Sequence, residues 1–370
     1  MERVRWDSLR LDDQPGDGRA PAGGAQAPLF ARGAVTRTFD TPGFRGMTFY
    51  EIQAKSIVSR VPDSSRMPFR YTINPYRGCQ HSCKYCFARQ SHTYLDMDAG
   101  HDFDSKVIVK VNAPELLRAK LASPGWRGEH IAMGTNVDCY QRAEGRYRLM
   151  RGIIGALRDA ANPFSILTKG TLILRDLDLL GEAAEVTDVG LNVSCGFTDP
   201  SLWRAVEPGT PAPERRLEAC ATLAEAGLPC GVLMGPVIPF LSDSPAQLEA
   251  TVRRIAEAGA THVSPIVLHL RPGTREWFMA WLREAHPELG GRYAALYRGG
   301  SYANREYQKK ISVQVRELAD RYGVGRRRGT GGGPGSRGDR EARPPGTASA
   351  GTGSPAASVP EPAPEQLTLL

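Results

Sequence analysis

Cys79, Cys83 and Cys86 fall within one short run, Asn74-Pro-Tyr-Arg-Gly-Cys79-Gln-His-Ser-Cys83-Lys-Tyr-Cys86-Phe-Ala-Arg89. Cysteine thiolates hold iron–sulfur clusters, and three of them on one loop can take three irons of a [4Fe–4S] cube. No further Cys completes a local C-x2-C pair. The fourth iron then keeps an open position, as catalytic metal sites do. Two other readings of the same residues stand beside this one. A zinc site would use C-x2-4-C pairs with a second Cys or His pair at a distance, and no such second pair is present. Alternatively, the three residues are unrelated core cysteines.

The chain of 370 residues has room for one large α/β barrel or two ordinary domains, and 41% apolar content supports a substantial core. Seven cysteines without an N-terminal signal sequence suit a reducing cytoplasm, where an oxygen-labile cluster survives. No segment approaches the roughly 18 uninterrupted apolar residues of a membrane span, so a soluble protein with no membrane partner is expected. The formal charge of +7 is a weak pointer to a polyanionic partner. Only 8 of the 47 basic residues are Lys, and an Arg-, Ala-, Gly- and Pro-rich chain is what GC-biased coding produces.

The elements that must position the cysteines follow from periodicity. Strand patterns at 69–74, 130–134, 164–168, 188–193, 231–234 and 262–268 alternate with helix patterns at 113–121, 147–160, 174–184, 212–226 and 246–258. Strands separated by helices pair in parallel, which predicts an α/β fold: a partial (β/α)6 barrel with helices outside. Residues 275–323 add a helical extension whose aromatics include Trp277, Trp281, Tyr293, Tyr297, Tyr302 and Tyr307. They are expected to pack across the open side of the barrel, with a base-stacking surface as the alternative. Residues 1–45, rich in Gly, Pro and Ala, are expected to be a poorly ordered extension and 46–325 the core. The tail 326–370 is expected to be disordered, because its composition buries too little apolar surface to offset chain entropy.

In (β/α) barrels the functional groups sit at the C-terminal ends of strands. Those positions carry Thr135, Asn136 and Asp138 after the second strand, Lys169 after the third, Asn192, Ser194 and Cys195 on the fourth, and Arg271 after the sixth. The set suits a ligand with a zwitterionic head, a ribose and an adenine. Gln141 and Glu144 are candidates for substrate positioning, a helix cap being the alternative.

The cysteine spacing resembles the signature of the radical S-adenosylmethionine (SAM) enzymes. With the run from Met67 to Arg89, Gly134-Thr-Asn-Val-Asp138 and Thr168-Lys169, the chain is similar to the spore photoproduct lyase-like branch over about residues 47–323. The resemblance implies a TIM-like radical SAM barrel and a [4Fe–4S] cluster on Cys79, Cys83 and Cys86. SAM would bind the open iron and be cleaved to a 5′-deoxyadenosyl radical. Thr135, Lys169 and Ser194 would contact SAM, and Tyr85 and Phe87 would pack against its adenine or shield the cluster. The implied activity is lyase-like DNA repair on a nucleic-acid base or nucleotide, with a flavodoxin- or ferredoxin-type electron donor. Photoproduct lyases use a further Cys near the end of the second strand; here that stretch reads Met133-Gly134-Thr135. Cys139, a few residues on, is the candidate hydrogen donor, a small buried turn residue being the alternative. Rival readings are a radical SAM enzyme acting on a protein or small metabolite, and a non-enzymatic zinc or redox-sensing Fe–S module. The terminal Gln366-Leu367-Thr368-Leu369-Leu370 resembles the short peptides that bind the bacterial DNA sliding clamp, with Gln366 as polar anchor and the leucines in an apolar cleft.

Overall fold

The computed structural model describes residues 34–65 and 67–325. Eleven strands are present among them: β1 (Val35–Arg37), β2 (Thr48–Ile52), β3 (Val58–Arg60), β4 (Tyr71–Ile73), β5 (Tyr76–Arg77), β6 (Lys106–Lys110), β7 (Ile131–Met133), β8 (Phe164–Thr168), β9 (Val189–Ser194), β10 (Cys230–Val237) and β11 (Val263–Val267). The six strands expected from periodicity are β4, β7, β8, β9, β10 and β11. They lie in one sheet in chain order, each parallel to the next. β3 pairs antiparallel on the outer edge of β4. The result is the expected partial (β/α)6 barrel.

Alternation along the strands sorts side chains to the two faces of the sheet. Phe164 and Ile166 of β8, and Leu191 and Val193 of β9, join the main apolar cluster. Residues of opposite parity, among them Leu167, Ser194 and Leu233, line a cavity instead. Helix Leu149–Asp159 buries Met150, Ile153, Ile154 and Leu157, the stripe expected of an amphipathic helix, in the same cluster as the outward residues of β8 and β9. Helix Pro245–Glu257 opens on a capping box in which the Ser244 hydroxyl accepts from the Gln247 amide N–H. Its Leu248 and Val252 pack with Ile311, Val315 and Leu318 of helix Arg305–Tyr322.

The helical extension is present as Thr274–Ala285, Gly290–Leu296 and Arg305–Tyr322. The helix expected over 147–160 is present as Leu149–Asp159; it starts after Arg148, whose left-handed conformation (φ 53°) separates it from Arg142–Tyr147. A second sheet, ordered β1-β2-β6-β5, has no counterpart in the sequence reading. Its strand β1 falls inside the stretch expected to be poorly ordered. Three residues carry no periodicity of their own, and β1 exists through pairing with Phe49–Glu51. Among the described residues no helix is long and apolar enough to cross a membrane.

Candidate cofactor and active site

The cysteine loop leaves β5 through Gly78, whose φ of +86° and closeness to the Lys106 carbonyl oxygen (2.5 Å from an added Cβ) admit only glycine. Gln141 brackets the turn: its Nε2 donates to Gly78 O (3.0 Å) and its Oε1 accepts from Gln80 N (3.1 Å). Farther along, the fully buried Arg89 donates to Cys83 O (3.1 Å), Ala99 O, Gly100 O and both Asp104 oxygens. Its guanidinium is 5.2 Å from the Phe103 ring and 4.8 Å from the Trp277 ring. Thr274 Oγ1 donates to Cys86 O (3.2 Å), tying the extension to the last cysteine.

All three thiols are free and line one cavity at the C-terminal ends of the strands. Burial raises each of their pKa values, that of Cys83 to about 12. Iron or zinc would have to displace those protons on binding. Three thiols from one loop on the wall of one cavity can give one thiolate to each of three irons, so the donor set fits a [4Fe–4S] cluster with one open iron.

Opposite the thiols, Gly134 ends β7 at φ +75°, so close to β8 that a Cβ would sit 1.8 Å from Leu167 O. The next residues, Thr135 and Asn136, line the cavity. Asp138 holds this loop: it accepts from Thr168 Oγ1 (2.6 Å), Lys169 N (2.6 Å) and Tyr140 N (2.9 Å). Its carboxylate also faces His81 Nδ1 at 3.5 Å, although burial pulls the His81 imidazole down to about 4, leaving it neutral near pH 7. Lys169 Nζ donates to Ser194 Oγ (2.9 Å), which in turn donates to Gly235 O (3.0 Å). The same ammonium is 5.9 Å from the Tyr85 ring. The Tyr85 hydroxyl donates to Glu207, which pairs with Arg216. Both ions are almost fully buried. Burial pushes the Glu207 pKa up, but Arg216 and Lys169 outweigh it and the net shift is downward.

Of the residues expected at the site, Cys79, Cys83, Cys86, Tyr85 and Phe87 line the cavity from the loop. Thr135, Asn136, Lys169 and Ser194 line it from the strand ends. The others lie elsewhere. Asn192 shares the inward face of β9 with Ser194 but is not part of the cavity wall. Cys139 is 1% exposed and packs in the main core with Ile73, Tyr76 and Met133. Gln141 braces the cysteine loop, as described. Glu144 is fully buried, accepting from Tyr76 OH (2.5 Å), Leu149 N (3.0 Å), Met150 N (3.1 Å) and Arg175 Nη2 (2.6 Å). It satisfies the first amides of helix Leu149–Asp159, the cap alternative. Arg271 is exposed at the rim, its guanidinium 5.8 Å from the Phe87 ring. Tyr140 and Arg142 line a second cavity, which meets the first only at His81. Gln366, Leu367, Leu369 and Leu370 lie outside the described residues.

His269, read as the end of the sixth strand, lines the cavity as expected. Three contributors were not foreseen: His81, Glu207 and Arg216. His81 carried a signal, its place between two cysteines. Nothing local marks the other two.

A partial parallel barrel that presents three free thiols to a cavity at its strand ends has the donor set of a cluster-binding enzyme. The pattern of the Radical SAM superfamily matches residues 73–254, which hold the cysteine loop and β7 to β10. Uncharacterized protein Rv2578c of Mycobacterium tuberculosis (strain ATCC 25618 / H37Rv) is 49% identical over 302 residues, covering 82% of this chain and 89% of that protein. Uncharacterized protein MJ0683 of Methanocaldococcus jannaschii is 36% identical over 174 residues, 47% of this chain and 62% of that protein. Among solved structures, spore photoproduct lyase complexed with dinucleoside spore photoproduct is similar in fold. Its TM-score is 0.57 at 15% identity, with 75% of this chain and 80% of that chain covered. This chain belongs to the radical SAM superfamily. It is an enzyme whose cofactors are a [4Fe–4S] cluster and SAM.

Proposed function

We propose that the substrate is a nucleic-acid base or nucleotide, in a DNA-repair-like reaction. The observation that carries this reading is the uncovered wall beside the cofactor cavity. Ile266, on the inner face of the last strand β11, is 41% exposed and lines the cavity next to His269 and Phe87. An apolar and aromatic wall at the open edge of a barrel is surface that a planar base would cover. The fold likeness to a photoproduct lyase that binds a dinucleoside supports the same reading.

Bound together, the cluster and SAM supply a hydrogen-abstracting radical. The chain's own residues do the positioning. Cys79, Cys83 and Cys86 hold the cluster, and Lys169, Thr135, Asn136 and Ser194 offer polar contacts to SAM. Phe87 and Tyr85 shield the cluster side from water, and one substrate C–H bond is presented from the β11 side. Members of this superfamily need a reductant, and we assign that part to a small flavodoxin- or ferredoxin-type protein in the cytoplasm.

Oligonucleotides carrying deuterated bases test the reading. With anaerobically reconstituted, dithionite-reduced enzyme, deuterium is expected in 5′-deoxyadenosine. Steady SAM cleavage with no transfer from any DNA or RNA would instead turn the search to proteins and metabolites. The terminal peptide from Gln366 to Leu370 is assigned to a sliding clamp. Fluorescence anisotropy of labelled residues 355–370 should show micromolar binding that Gln366→Ala or Leu369→Ala removes, and no binding at about 100 μM clamp, where a Kd so weak corresponds to ~5.5 kcal/mol, would discard the link.

A further inference from the structure

Three rings form a continuous series from the cofactor cavity to solvent. Phe87, next to the last cluster cysteine, lies 5.7 Å from His269 between ring centroids, at 37°. His269 lies 5.7 Å from Tyr302 at 29°, a stacked arrangement. Phe87 and His269 line the cavity, whereas Tyr302 stands outside it and is 55% exposed. The neighbouring tyrosines of the extension behave differently. Tyr293 and Tyr297 are each 1% exposed, and their hydroxyls donate to Pro239 O and Leu268 O.

Tyr302 is exposed on a segment that is firmly held. His269 and Tyr302 form an antiparallel backbone bridge, and Leu270 N donates to Ser301 O at 2.7 Å. Arg275 donates to Tyr297 O (3.1 Å) and Gly300 O (3.5 Å) from the helix below. A large ring fixed in place with one face on His269 and much of its surface in water is preorganised to receive another planar group. Beside the series, the exposed Arg271 guanidinium is 5.8 Å from the Phe87 ring and makes no ion pair among the described residues. A cation next to a ring series matches the alternation of phosphate and base in a single strand.

We propose that Tyr302 is a stacking subsite for the nucleobase adjacent to the reacting one, with Arg271 taking the phosphate between them. This rests on the nucleic-acid reading above and gives it a location. The reacting base lies inside, against Phe87 and Ile266, and its neighbour outside on Tyr302.

The test uses full-length reconstituted protein with SAM and two fluorescein-labelled probes: an eight-residue oligothymidylate, and the same backbone without bases. Wild-type protein should bind the oligothymidylate more tightly than the abasic strand. Tyr302→Ala should weaken oligothymidylate binding by about five- to a hundredfold, the span of one lost base stack, and leave the abasic strand unaffected. Tyr302→Trp should retain affinity and show indole quenching on titration, a signature that a merely structural ring would not produce. Arg271→Ala should weaken both probes and flatten the salt dependence. Oligothymidylate binding that is indifferent to Tyr302→Ala, with no quenching in Tyr302→Trp, overturns the subsite and leaves the substrate class standing. No binding of either probe by the wild type overturns both, and tight binding of an aromatic peptide in their place would assign the series to a protein substrate.

Discussion

Lys169 Nζ lies 2.9 Å from Ser194 Oγ, joining the C-terminal ends of β8 and β9 on the wall of the cofactor cavity. The bond orders a flexible side chain over the thiols before any ligand arrives, because Ser194 is itself committed to Gly235 O. Lys169→Ala should therefore weaken SAM binding by about ten- to a hundredfold, the loss of a charged hydrogen bond of roughly 1.5–3 kcal/mol. Iron content should stay at the wild-type level. Equilibrium dialysis with labelled SAM decides it, and unchanged affinity would leave Lys169 as a strand tie only.

The cluster assignment separates the seven cysteines. Alanine at Cys79, Cys83 or Cys86 should abolish the visible iron–sulfur absorption, while alanine at Cys139, Cys195, Cys220 or Cys230 should leave about four irons per chain. Cys139→Ala is the informative member of the second group. Buried in the core with Tyr76 and Met133, it should cost about 1 kcal/mol of stability and leave the products of the reaction unchanged. A change in product distribution would restore it as a hydrogen donor.

Gln141 predicts a loss of cluster retention rather than of substrate affinity. Gln141→Leu strands the Gly78 carbonyl and the Gln80 amide, each at about 1–3 kcal/mol for a buried unpaired group. Iron should be released at lower temperature than in wild type, and the apoprotein should melt earlier. A variant with normal iron retention and raised substrate KM would contradict the bracing role.

His92 governs part of the acid sensitivity. Its Nε2 lies 2.9 Å from Lys106 O, its Nδ1 is buried without a partner, and burial holds its pKa at about 4. The folded state keeps the ring neutral, whereas the unfolded chain protonates it near pH 6.5. The stability it contributes is full above pH 6.5, falls as the pH drops toward 4, and is lost below that. Between pH 7 and pH 5 the loss is about 2 kcal/mol. Urea titrations of apoprotein at the two pH values should show a smaller drop for His92→Gln, which retains a donor for Lys106 O. Equal drops would assign the sensitivity to other groups.

What the sequence determined by itself was what short stretches of chain encode. The cluster motif is one, since a loop of three cysteines within eight positions needs no distant partner to be recognised. The six parallel strands are another, because burial on a helix-covered sheet imposes continuous apolar runs bounded by turns. Lys169, Ser194, Thr135 and Asn136 were legible because strand ends in such a barrel point to one rim. Only the tertiary structure decided the direction of side chains in the loops beyond those ends. Gln141 and Glu144 read as polar groups beside a rim, yet the fold buries both as braces, Gln141 on the cysteine loop and Glu144 on the first amides of helix Leu149–Asp159. Tyr85, Glu207 and Arg216 meet across 122 and 9 positions, a pairing with no local trace. The same holds for the sheet β1-β2-β6-β5, whose short strands gain their hydrogen bonds from segments far along the chain. Tyr302 is the sharpest case. Its neighbours Tyr293 and Tyr297 have the same residue type and share its stretch of chain. Its backbone bridge to His269 sets the exposed Tyr302 ring against the His269 ring at the mouth of the site.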